Sequence, residues 1–201
     1  MSPERGRDWG AHVPAPDGLR WCEDDAAASV AVGQSVAPAL LAIRRSRIGA
    51  SVGRTGARES ARMLATPWDA MRLRLRLGGA VRDVTVLGRA WIVRLAPRGA
   101  AWVIATTSPV GRLDLHPRAH PADGWLHVLE ISAAMTWRER VAGLGRARRG
   151  DHVPHPALRA TRATRWSSGE GRAVVVADGH WCGIADHVEA EVRPGACTLH
   201  W

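Results

Sequence analysis

The stretch Met71-Arg72-Leu73-Arg74-Leu75-Arg76-Leu77-Gly78-Gly79, followed by Ala80-Val81-Arg82-Asp83-Val84-Thr85-Val86-Leu87, decides the fold. Residues 71–77 alternate strictly between apolar side chains and arginine. Successive side chains of an extended chain point to opposite faces, so this is a strand with one dry and one wet face. Two glycines between two strand patterns read as a tight hairpin, because the turns that suit a twisted ribbon need positive φ. The stripe Arg72, Arg74 and Arg76 reads as the solvated face of that strand, with contact to phosphates as the alternative.

Strand signals continue on the C-terminal side. Residues 91–95 and 102–106 form a pair around Pro97-Arg98-Gly99, and residues 126–131 make another strand. Residues 173–177, 188–193 and 197–201 follow, with Pro194-Gly195 read as a turn. One helix interrupts them. Thr136 and Glu139 have capping-box spacing, Trp137, Val141 and Leu144 share a face, and Arg146, Arg148 and Arg149 crowd the last turn before Gly150. Towards the N-terminus the pattern loosens. Residues 2–18 read as irregular. Glu23-Asp24-Asp25 opens a short helix, residues 38–43 suit a buried strand, and residues 53–65 read as a helix weakened by Gly56.

Composition narrows the class. The 201 residues are 46% hydrophobic and 23% charged, enough apolar material for a packed core. All 28 basic residues are arginine, Phe and Tyr are absent, and Trp occurs ten times. Tryptophan is then the only aromatic for packing, and Trp91, Trp102, Trp125 and Trp137 are expected in the core. No apolar run is long enough to span a bilayer, and the start of the chain has no apolar leader. Three cysteines, Cys22, Cys182 and Cys197, are too few for a disulfide framework, and Cys182 and Cys197 read as small core residues. A cytoplasmic chain is expected, with a peripheral place at the membrane left open. The net charge of +9 suits nucleic acid or anionic headgroups, though no nucleic-acid motif accompanies it.

Three segments carry a family resemblance. Pro117-Arg118-Ala119-His120-Pro121-Ala122-Asp123-Gly124-Trp125-Leu126-His127-Val128 resembles a "P-x-A-x-x-D-D-G-L-L-D-V" stretch. Arg149-Gly150-Asp151-His152-Val153-Pro154-His155-Pro156 is similar to "G-x-H-x-x-x-P". Val176-Ala177-Asp178-Gly179-His180, with Val188 to Ala196 after it, resembles "D-G-E … V-x-P-G-A". In this order and spacing they resemble the bacterial diacylglycerol kinase and sphingosine kinase-like lipid kinases of the NAD kinase/diacylglycerol kinase superfamily. The resemblance implies a mostly β (α+β) chain: an antiparallel β-sandwich with one inserted helix over residues 67–201. Before it, residues 1–66 form a small degenerate α/β segment, a relic of the nucleotide-binding domain.

The departures from the family pattern shape the functional expectation. The family's Gly-Gly-Asp-Gly-Thr loop occurs nowhere in this chain. Where the family has "G-T-G-N-D-x-A-R", this chain has Ala42-Ile43-Arg44-Arg45-Ser46-Arg47-Ile48-Gly49. Asp123 keeps one of two adjacent acids, with Ala122 in place of the other. His127 also replaces an acid, and His180 stands for the family glutamate. By resemblance Asp178 is the candidate catalytic base beside His180, and Asp123 a weak metal ligand. Arg44, Arg45, Arg47 and Arg54 fall where the family binds nucleotide phosphate and form a candidate anion site, with a solvated basic loop as the plain alternative. Without a glycine loop the backbone cannot cradle a triphosphate, and histidine replaces a carboxylate poorly at magnesium. The expectation is therefore a lipid-kinase-related domain that is non-catalytic alone. It would bind a lipid or nucleotide-like ligand, or pair with a partner chain or a second copy. The alternatives are an active ATP- and Mg²⁺-dependent lipid kinase with an arginine-based phosphate site, and an arginine-rich nucleic-acid-binding module. His116, His120, His152 and His155 raise a zinc reading, set against loop histidines with local hydrogen bonds.

Overall fold

The computed structural model describes residues 10–96, 99–148 and 155–201. Pro97-Arg98, residues 1–9 and the 149–154 part of the second resembling segment, His152 included, lie outside them. In chain order the elements are β1 (Ala11–Pro14), β2 (Arg20–Asp24), α1 (Asp25–Gln34), β3 (Ala39–Arg45), a 3₁₀ turn (Ile48–Val52), β4 (Arg62–Leu77), β5 (Ala80–Val86), β6 (Arg89–Arg94) and β7 (Ala101–Ala105). They continue as β8 (Leu126–Ile131), α2 (Trp137–Ala147), β9 (Leu158–Ala163), β10 (Arg165–Ser167), β11 (Ala173–Ala177), β12 (His180–Ala185) and β13 (His187–His200).

The chain is mostly β, and two sheets face each other. One has the order β1-β4-β13-β3-β2, with β5 also on β4 and β10 on β13; the other runs β12-β11-β6-β7-β8-β9. Met71, Leu73 and Leu75 of β4 point inward and are fully buried against Ile92, Ile104, Leu126 and Val175. Burying such side chains is worth roughly 1.5–3 kcal/mol each. Gly78 and Gly79 take φ of 57° and 94°, so the β4–β5 hairpin is the tight turn its sequence requires. The arginines alternating with that core face outward and are each ion-paired: Arg72 with Glu191, Arg74 with Asp83 and Arg76 with Glu170.

Strand β13 runs antiparallel to β4, and its last residues also run parallel to β3 (Cys197 opposite Ala39, Leu199 opposite Leu41). Strands β2 and β3 are parallel and joined through α1, a β-α-β unit. Strands β1, β2 and β3 are thus hydrogen-bonded into the sheet of β4 and β13. Ala28, Ala31 and Val32 of α1 pack on Leu41, Ile43 and the buried pair Trp68–Trp201.

Local expectations fail in four places. Residues 11–14 form β1 on the edge of β4 rather than irregular chain. Residues 53–65 are not helical: Gly53 has φ 71°, and Ala57 donates its N–H to Ile43 O at 2.7 Å, holding the segment beside β3. Pro194-Gly195 is a bulge inside β13 rather than a turn between two strands. Helix α2 has both halves of its capping box, but Trp137, Val141 and Leu144 point to solvent. Its packed side is Gly143 and Ala147, small residues that allow close approach to the sheet. Trp125 is also exposed, while Trp91 and Trp102 are partly buried against the core.

Candidate functional site

Two acids, Asp25 and Asp178, build the site, each as a clamp between distant segments. Asp178 sits with Gly179 in the tight turn between β11 and β12 and takes φ 47°, a left-handed conformation that Asp tolerates better than most residues. That turn aims its carboxylate at the β5–β6 connection. Oδ1 accepts the N–H groups of Gly88 (3.0 Å) and Arg89 (2.9 Å). Oδ2 accepts the N–H of Leu87 (2.9 Å) and the hydroxyl of Ser29 on α1 (2.8 Å). A carboxylate offers about four lone-pair positions, and here all are taken. Gly88 is required under this clamp, since a Cβ there would lie 2.8 Å from Asp178 Oδ1 and 2.5 Å from Ile48 Cγ2.

Asp25, the first residue of α1, does the same for the loop after β3. Its Oδ1 accepts the Ser46 hydroxyl at 2.6 Å, and its Oδ2 accepts the N–H groups of Arg47 (2.8 Å) and Ile48 (3.3 Å). Burial pushes both carboxyl groups above their ordinary range, against the lowering effect of these hydrogen bonds. Beside them the Arg89 guanidinium is held below its ordinary value by burial, and the Asp178 charge works the other way.

Between the clamps lies a hollow of about 430 Å³, lined by Asp24, Asp25, Arg45, Ser46, Arg47, Thr55, Asp178, Gly179 and His180. The structure therefore brings together Arg45, Arg47, Asp178 and His180. It leaves out three other candidates. Arg44 stacks over Trp21 at 4.7 Å and lies 3.7 Å from Glu59. Arg54 is exposed beyond the 3₁₀ turn. Asp123 binds His127 Nε2 at 2.8 Å and the Trp125 N–H at 3.0 Å, far enough from the hollow to line none of it. Within the hollow Arg45 is paired with Glu23 at 3.0 Å, whereas Arg47 makes no ion pair among the described residues. Asp25, Ser46 and Thr55 line the hollow and Ser29 holds Asp178, and none of the four stood out in the sequence as a candidate. Asp25 was visible only as an acid in a first turn, a role that gives no hint of its long-range clamp.

The donor set does not fit magnesium. That ion takes hard oxygen ligands, and the oxygens of Asp178 and Asp25 are already held by N–H and O–H donors. Among the described residues no three His, Cys, Asp or Glu side chains group to hold a metal ion. What remains is a polar hollow with one guanidinium outside any ion pair among the described residues and an exposed imidazole, beside three acids that are hydrogen-bonded within the chain, Asp24 among them as the cap of α1 on the Ala27 N–H.

Two facing sheets with an inserted helix define a β-sandwich domain. The chain belongs to the family described as the YegS C-terminal NAD kinase beta sandwich-like domain, which it matches over residues 58–201. No curated protein matches it in sequence. Among solved structures it is similar to two from Bacillus anthracis str. Sterne described as diacylglycerol kinases. One has 12% identity, a TM-score of 0.39 and coverage of 65% of this chain and 38% of that one. The other has 11%, 0.37, 67% and 42%. The chain thus spans less than half the length of these neighbours.

Proposed function

We propose that this chain is a lipid-kinase-related sandwich domain that binds a phosphate-bearing lipid or nucleotide-like ligand in the Arg45–Arg47–His180 hollow and transfers no phosphoryl group alone. One observation carries the reading: Asp178, the acid placed to act as a base, has no lone pair left to take a proton from a hydroxyl. Phosphoryl transfer also needs its phosphate charge neutralised, and among the described residues neither a magnesium ligand set nor a glycine loop lines the hollow. In this reading residues 1–66 are a degenerate nucleotide-domain-like segment, and the chain works with a partner chain or a second copy. A cytoplasmic setting fits the reading. The arginine stripe of β4 favours nucleic acid little, because its charges are already balanced by Glu191, Asp83 and Glu170.

The test has two arms on the full chain. Incubation with ATP, Mg²⁺ and diacylglycerol should give no phosphorylated lipid above a protein-free blank. Calorimetric titration with ATP lacking metal should show binding that Arg47→Ala removes. Protein-dependent lipid phosphorylation would overturn the non-catalytic reading, and equal ATP binding by wild type and Arg47→Ala would overturn the site.

A further inference from the structure

Helix α2 displays an apolar stripe that no other part of the described chain covers. Trp137 is 76% exposed, Val141 46% and Leu144 44%. Their spacing of four and then three residues sets them in one row along the helix. A solvent-facing Trp is costly unless something takes its ring, and the other members of the stripe are aliphatic.

The charges around this row identify the occupant. Arg148 is exposed in line with it at the C-terminal end and Arg138 about a quarter-turn to one side, while Arg146 is exposed on the far side of the helix. The one acid of the helix, Glu139, is folded back onto the Thr136 N–H and hydroxyl in the capping box, both at 2.7 Å. Arg140 points the other way and anchors the helix to the body through the carbonyls of Met135, Gly99 and Ser132. The outer surface of the helix is thus an apolar row with an amphipathic Trp, with two exposed guanidiniums beside it and no acid on the helix other than Glu139. An apolar protein groove would match the row but not the two arginines beside it, which make no ion pair among the described residues. An anionic bilayer matches both, with the Trp ring at the headgroup level and the arginines on the phosphates. We propose that α2 docks the chain onto anionic phospholipid surfaces, lying in the interface plane with Trp137, Val141 and Leu144 inserted. This surface involves no residue of the hollow and stands or falls separately from the ligand reading above.

The test is sedimentation of the full chain with vesicles of phosphatidylcholine alone and of phosphatidylcholine and phosphatidylglycerol in equal parts. Binding is expected to the anionic vesicles, weakening as salt rises. The double variant Trp137→Ala/Leu144→Ala, which removes only exposed side chains, should weaken it about tenfold or more, because the buried apolar area sets the partition strength. Arg138→Gln/Arg148→Gln should weaken it several-fold and flatten the salt dependence, and Arg47→Ala should leave it unchanged. Absence of binding to anionic vesicles would overturn the proposal. So would binding that survives the double apolar variant, or a dimer in light scattering that the same variant dissolves, since the stripe would then belong to a second copy.

Discussion

Replacing Asp178 by Ala leaves four donors facing a void: the N–H groups of Leu87, Gly88 and Arg89, and the Ser29 hydroxyl. A buried donor that loses its partner costs about 1–3 kcal/mol. Four together would reach about 4–12 kcal/mol by that figure if none relaxed. Two effects reduce it. Removing a carboxylate also removes its own burial cost, which is large enough here to push its pKa up. The Ser29 hydroxyl can also rotate to another acceptor. A net loss of about 3–5 kcal/mol is expected, the range for breaking a buried charged network by removing one partner. Asp178→Asn keeps one acceptor oxygen but turns an NH₂ towards donors, and should lose nearly as much. The assay is urea unfolding followed by tryptophan fluorescence, where the midpoint falls with unchanged slope. His180→Ala, two residues away and exposed, is the control and should stay within about 0.5 kcal/mol of wild type. If Asp178→Ala unfolds at the wild-type midpoint, the carboxylate is not committed to the clamp, and the argument against a base there collapses.

Gly88→Ala should cost about 1–3 kcal/mol, because its Cβ would press Ile48 and the Asp178 carboxylate at once; an unshifted melting temperature would contradict that crowding. Asp25, raised above its ordinary range by burial, contributes stability that is complete below the unfolded-state pKa and lost as pH rises through the folded one. The wild type's advantage over Asp25→Asn should therefore widen as pH falls from about 7 to about 4, and a narrowing gap in paired denaturation curves would reverse the sign argued here. Trp68→Phe removes the indole N–H bond to Leu87 O at 2.8 Å in a fully buried setting, and a loss of about 1–2 kcal/mol is expected in thermal unfolding.

Much of the fold was legible because two local rules were obeyed without conflict. The period of two in residues 71–77 and the Gly-Gly turn fix the central hairpin, and Thr136 with Glu139 fixes the start of α2. The reading failed where a distant partner decides. Residues 53–65 carry helix-forming side chains, yet the Ala57 N–H is claimed by Ile43, and Gly56 sits where a Cβ would lie 2.0 Å from Arg44 O. Strand β1 exists only because β4 offers it an edge. The exposed Trp137 was misplaced because a helix with one apolar face is normally packed through that face; here Gly143 and Ala147 make the contact instead. The site was half legible. Arg45, Arg47, Asp178 and His180 meet at the hollow. The acids that shape it cannot be told from solvent-facing ones until their donors, 21 to 149 residues away, are known.

The parallel pairing of β3 with the end of β13 joins positions 39–42 to positions 197–200. Contacts so far apart in sequence form late, because a long loop must close before any of them is rewarded. Until that closure, Leu41 has no neighbour on one edge, and Leu199 and Trp201 are missing from the core under α1. The loop carrying Arg45 and Arg47 then hangs from an unfinished strand, so the hollow should be the last part of the molecule to assemble and the first to come undone.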